Sequence, residues 1–139
     1  MTTIDTSASL APSRNWTFWI GWVLSSLFIA FMIFDGSIKL VPIQPVIDTM
    51  TELGYPVEHA RLLGVLSLVC TLLYAIPRTS VLGAVLLTAY LGGAVSAHVR
   101  IGSPLFSHDL FGVYMGLFAW GGIWLRNAKL RAIFPIIRA

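Results

Sequence analysis

One short stretch, SAHVRIGSPLFSHDLF, gathers His98, Arg100, His108 and Asp109. Neutral imidazole ligates metal or haem and exchanges protons. A guanidinium followed by Gly102, Ser103 and Pro104 can cradle an anion or a lipid phosphate. Further back, Asp35 and Lys39 are four apart with the acid first, the better order for a helical ion pair. If buried, that pair could shuttle protons. A plainer reading stands beside each of these. Charges belong at the ends of membrane helices, where head groups solvate them and long side chains snorkel. No His-x3-His spacing fixes a ligand geometry, so a bound metal or haem is disfavoured. The candidate ligand-binding set is Asp35, Lys39, His98, Arg100, His108 and Asp109, and no catalytic residue can be assigned.

The elements that must position these residues are apolar. Of 139 residues, 57% are hydrophobic and only 11% are charged, against about 25% charged in ordinary soluble domains. Mean hydropathy is +0.83. An integral membrane protein of one domain is the economical reading. The single cysteine, Cys70, excludes an internal disulfide and a CxxC pair. A thiol relay to quinone is thereby disfavoured. The net charge of +3 comes from scattered bases clustered only near the C-terminus. It points to bilayer orientation and anionic lipid head groups, not to nucleic acid.

Residues 1–15 read as a disordered polar tail. Trp16 to Phe34 carries no charge and is long enough for one crossing, with Trp16, Trp19 and Trp22 at its start. Gly21 and Ser25 allow a close neighbour. Pro42 and Pro45 break the chain, and Val46, Ile47, Met50 and Leu53 line one side of a short interfacial helix ended by Gly54 and Pro56. Leu62 to Ile76 is a short second crossing that needs His59, Ala60 and Arg61 to be helical as well. Its face Ala60, Gly64, Ser67, Thr71 is small and slightly polar. Ser80 to Ala97 is the third crossing, with Ala89, Gly93 and Ser96 as its packing seam. Leu110 to Leu125 is the fourth, with Gly112 and Gly116 four apart.

The fold expected is therefore an all-α bundle of four transmembrane helices over residues 16–126, with an interfacial helix between the first two and a basic tail at 127–139. Arg14, Arg78, Arg126, Lys129, Arg131 and Arg138 fall on one face, six bases against three (Lys39, Arg61, Arg100) on the other. Positive-inside then puts both termini in the cytoplasm, across a bacterial plasma membrane. Four helix ends meet at the outer face, bringing Asp35/Lys39, Glu58/His59/Arg61, His98/Arg100 and His108/Asp109 around one mouth. Tyr90, Tyr114, Phe111 and Phe118 could form an apolar slot for a quinone or lipid tail.

The segments DGSIKL, ELGYP, ARLLGVLSLV, LLYAIPRTSVLGAVLLTAYLGGAVSAHVRIGSPLF, WGGIWLR and KLRAIFP together resemble the DoxX-like family of small membrane proteins. The resemblance implies a compact bundle of four transmembrane helices. The family is named after a subunit of a thiosulfate:quinone oxidoreductase. Its DoxX-like branch has no established activity, so the resemblance carries over no catalytic residue. Relatives often have a glutamate where this chain has Ser67, which removes any role built on a carboxylate there. The expectation is a membrane protein with a polar outer pocket for a quinone-like or lipid-like molecule, serving as a membrane subunit of an oxidoreductase. A non-enzymatic scaffold or chaperone, and a small-molecule transporter, are the alternatives. Membrane lipids, a partner subunit or further copies of the chain would be its partners.

Overall fold

Proline and glycine punctuate the helices of the computed structural model, which describes residues 15–136. The elements are α1 (Trp16–Leu40), α2 (Gln44–Glu52), α3 (His59–Ala75), α4 (Ser80–Arg100), a π-helical turn (Leu105–Asp109), α5 (Phe111–Arg126) and α6 (Ala128–Ile133). No strand occurs among the described residues. Residues 1–14, most of the expected N-terminal tail, lie outside them, as do 137–139 with Arg138.

α2 and α4 end by the same device. Gly54 and Gly102 adopt φ of 71° and 70°, the left-handed conformation that glycine tolerates without a Cβ clash. The following amides reach back five residues, Tyr55 N to the Met50 carbonyl at 2.8 Å and Ser103 N to the His98 carbonyl at 3.2 Å. Both are Schellman closures. Pro56 and Pro104 then prevent the helices from resuming.

The first long helix runs six residues beyond the charge-free stretch, to Leu40, and so takes in Asp35 and Lys39. Ser37 keeps its hydroxyl within the helix, donating to the Ile33 carbonyl at 2.6 Å. Gly36 gives the extension a reason. A Cβ there would lie 2.7 Å from Leu68 Cγ, and one on Gly64 would lie 2.8 Å from the Gly36 carbonyl. The two glycines let the end of α1 and the start of α3 touch backbone to backbone.

α1 packs on α3 and α5, and α4 packs on the same two helices. The order around the bundle is therefore α1, α3, α4, α5. Neighbours are antiparallel: the start of α1 meets the end of α5 through Gly21 and Gly122, and Leu91 of α4 meets Gly112 of α5. At the centre lie Phe28, Met32, Tyr74, Leu87 and Ile123. Tyr74 donates to the Ala119 carbonyl at 2.7 Å and lies 3.1 Å from Ser25 Oγ, joining α1, α3 and α5 through one buried hydroxyl. Near the same end, the Arg126 guanidinium lies 4.3 Å from the Trp22 ring centre and 5.8 Å from that of Tyr74.

The distribution of side chains is inverted relative to a water-soluble bundle. Ser25, Ser67, Thr71 and Ser80 are buried, while Val23, Leu27, Phe34, Leu66, Val69, Leu72, Leu82, Val85, Val113 and Leu117 are exposed. Small and hydroxylated residues let helices approach closely, and a surface this apolar marks an interaction with something equally apolar. The face Ala60, Gly64, Ser67, Thr71 is buried in α3 as its spacing suggested. The expected α4 seam is not. Ala89, Gly93 and Ser96 are exposed, and Ser80, Gly83, Ala84, Leu87 and Leu91 make the contacts instead.

Two helices, α1 and α4, are long and apolar enough to cross a membrane; α3, at 17 residues, is a shorter apolar helix.

Candidate functional site

α2 folds over the bundle end where α1 and α4 finish and α3 and α5 begin. Its apolar side places Val46 and Met50 against Ala60, Ile38, Val57 and Leu63. Asp48, Thr49, Thr51 and Glu52 remain exposed. The side chain of Arg100, at the last turn of α4, donates Nη2 to the Leu53 carbonyl. That contact ties α4 to the C-terminus of α2.

Beneath α2 is a cavity of about 530 Å³, within the range usual for small-molecule sites. Its walls are mostly apolar, from Phe31, Met32, Val46, Met50, Leu63, Leu91 and Phe111, with Gly93 and Ala94 leaving room on α4. Its polar side chains are Asp35, Lys39, Thr49, Tyr55, Tyr90, His98 and His108.

Lys39 Nζ donates to Asp35 Oδ2 at 2.6 Å and to Tyr90 Oη at 3.0 Å. The ion pair is about three-quarters or more shielded, with side-chain exposures of 20% and 25%. The i,i+4 spacing and the extension of α1 create it, and Tyr90 ties it to α4. His98 Nδ1 lies 3.2 Å from Ser103 Oγ, and His108 Nδ1 lies 2.7 Å from Ser107 Oγ. The two imidazole rings are 5.7 Å apart between centres. The π-helical turn makes this possible. Its wider winding, with the Leu110 amide bonded to the Leu105 carbonyl, brings His108 to the cavity and turns Asp109 inward. Asp109 is 6% exposed, and its Oδ1 is buried with no hydrogen-bond partner.

Of the six residues singled out from the sequence, Asp35, Lys39, His98 and His108 line one cavity. Arg100 and Asp109 belong to the same end of the bundle but not to the lining. Glu58 and Arg61 border a separate recess with Pro42, Ile47 and Val57, and His59 borders neither. Among the described residues, no three His, Cys, Asp or Glu side chains are grouped to hold a metal ion. Tyr114 and Phe118 do not line the cavity, so the expected aromatic slot reduces to Tyr90 and Phe111. Tyr90 as a polar partner of Lys39 was missed by sequence reasoning. Its only signal was a tyrosine in an apolar helix near the expected mouth.

The sequence model of the DoxX-like family matches residues 23–122, from the second turn of α1 to the last turn of α5. The chain belongs to the DoxX-like family. The match takes in all of the cavity's lining residues. Among curated proteins and among solved structures, none matches this DoxX-like chain. Family and apolar helices together support a membrane protein.

Proposed function

We propose that this DoxX-like protein spans the membrane four times and holds one amphipathic molecule, quinone-like or lipid-like, in the cavity beneath α2. It acts as a membrane subunit of an oxidoreductase system. The observation that carries the reading is the cavity itself: about 530 Å³ of apolar space with Lys39, Tyr90, His98 and His108 at its polar edge. Such a site suits an apolar tail with a small polar head.

The four-span part rests on the inverted distribution of side chains, which α3 and α5 share with α1 and α4. At 17 and 16 residues, α3 and α5 are about 25 Å long, slightly short of the hydrocarbon core, and flanking residues or local thinning would make up the difference. Charge supports the expected orientation. Among the described residues, Arg78, Arg126, Lys129 and Arg131 occupy one end with no acid, while all five acids share the other end with Lys39, Arg61 and Arg100. The cavity then opens on the outer side of the membrane. With a single cysteine and no redox motif in the chain, electrons would come from a partner subunit.

The test is binding of a short-tailed benzoquinone to the purified protein in lipid nanodiscs, with Gly93→Leu as the comparison. Gly93 borders the cavity, and a Cβ there meets nothing within 4 Å. The leucine therefore fills the space without displacing the fold. Saturable binding to wild type that is lost in Gly93→Leu is expected. Equal binding to both proteins would contradict the reading.

A further inference from the structure

Lys39 and Tyr90 offer more than their mutual hydrogen bond. An ammonium has three protons to donate. Lys39 uses one on Asp35 Oδ2 and one on Tyr90 Oη. Tyr90 Oη accepts from Lys39, which leaves its own O–H to be given elsewhere, and no acceptor for it is found among the described residues. Two open donors, 3.0 Å apart at their heavy atoms, therefore sit side by side on the wall of an apolar cavity. A carbonyl oxygen has two lone pairs and can take both.

Charge narrows the choice further. Among the described residues, Lys39 and Asp35 are the only Lys, Arg, Asp or Glu side chains on the cavity wall, which His98 and His108 share, and the lysine and aspartate are paired at 2.6 Å. A carboxylate or phosphate entering this space could accept from the same two donors, but its charge would meet an ammonium already neutralised by Asp35 and would lose its hydration in an apolar space. A neutral oxygen acceptor has no such cost. We infer that the cavity selects a neutral, carbonyl-bearing head group over an anionic one, with Lys39 Nζ and Tyr90 Oη as the paired donors to its oxygen. This rests on the proposed use of the cavity as an amphiphile site, and it makes Tyr90 a specificity residue.

Three probes of similar length separate the possibilities: 2-dodecanone, dodecanoate and dodecane, each titrated against the full-length protein in nanodiscs. The ketone is expected to bind about tenfold more tightly than dodecane, as two hydrogen bonds in an apolar site suggest, and more tightly than dodecanoate. Tyr90→Phe keeps the Lys39–Asp35 pair and should weaken the ketone about fivefold while leaving dodecane unchanged. Asp35→Asn uncovers the Lys39 charge and should move the preference to dodecanoate. If that variant fails to fold, Tyr90→Phe alone decides the matter. Dodecanoate binding wild type as tightly as the ketone, or Tyr90→Phe binding the ketone as wild type does, overturns the inference. Equal uptake of all three also overturns it but leaves the amphiphile site standing. Failure of all three to bind sinks both.

Discussion

Lys39 on α1 and Tyr90 on α4 are 51 positions apart in sequence and 3.0 Å apart at Nζ and Oη. The contact crosses the bundle between helices that are not neighbours around its ring. It joins the end of the extended first helix to the wall of the cavity, so the polar edge of the site is built from two elements held apart by the core.

At the opposite end, the hydroxyl of Tyr74 carries the corresponding link. Tyr74→Phe removes the bond to the Ala119 carbonyl and leaves Ser25 Oγ without a partner. The expected loss is about 1 kcal/mol, the scale of interhelical hydrogen bonds in membrane bundles. Thermal unfolding in one detergent checks it, and Ser25→Ala should cost less.

Close backbone approach makes a sharp contrast between glycines. Gly64→Ala puts a Cβ 2.8 Å from the Gly36 carbonyl and 3.0 Å from Lys39 Cβ, so α1 and α3 must separate. A loss of about 1–3 kcal/mol is expected. Gly92 meets nothing within 4 Å, and Gly92→Ala should be neutral or stabilising because alanine favours the helix by about 1 kcal/mol. The same unfolding measurement compares the two.

Arg100 holds α2 in place through the Leu53 carbonyl. Hydrogen bonds from charged donors contribute about 1.5–3 kcal/mol, so Arg100→Ala should speed amide hydrogen exchange in α2 by about tenfold or more. Exchange in the core of α3 should not change. An unchanged α2 would mean that its apolar face alone secures it.

Topology gives a prediction on intact cells. In a background where Cys70, the only cysteine, is replaced by serine, Ser103→Cys should react with a membrane-impermeant maleimide from outside. Thr79→Cys should react only after the cells are opened. Labelling of both from outside would contradict four crossings in the proposed orientation.

How far the fold was legible depended on how mixed each helix is. In α2 apolar and polar residues alternate at helical spacing, and the side holding Val46, Met50 and Leu53 is the buried one. In α3 the small residues Ala60, Gly64, Ser67 and Thr71 stand out from leucine and valine, and they too are buried. α4 is apolar nearly all round and carries small residues on two faces. Ala89 and Gly93 border the cavity, while Gly83 meets α3 and Ala84 is buried in the core, and spacing alone does not separate a packing seam from a void. The Asp35–Lys39 pair was readable because it is local. Tyr90, the π-helical turn that presents His108, and Arg126 over Trp22 depend on contacts between distant segments, which no local pattern announces.

The most direct test is native mass spectrometry of the protein extracted gently from its own membranes, beside Gly93→Leu prepared the same way. Occupancy of the cavity predicts one retained small amphiphile on wild type that is absent from the variant. An identical adduct on both proteins, or a bare chain in both, would contradict it.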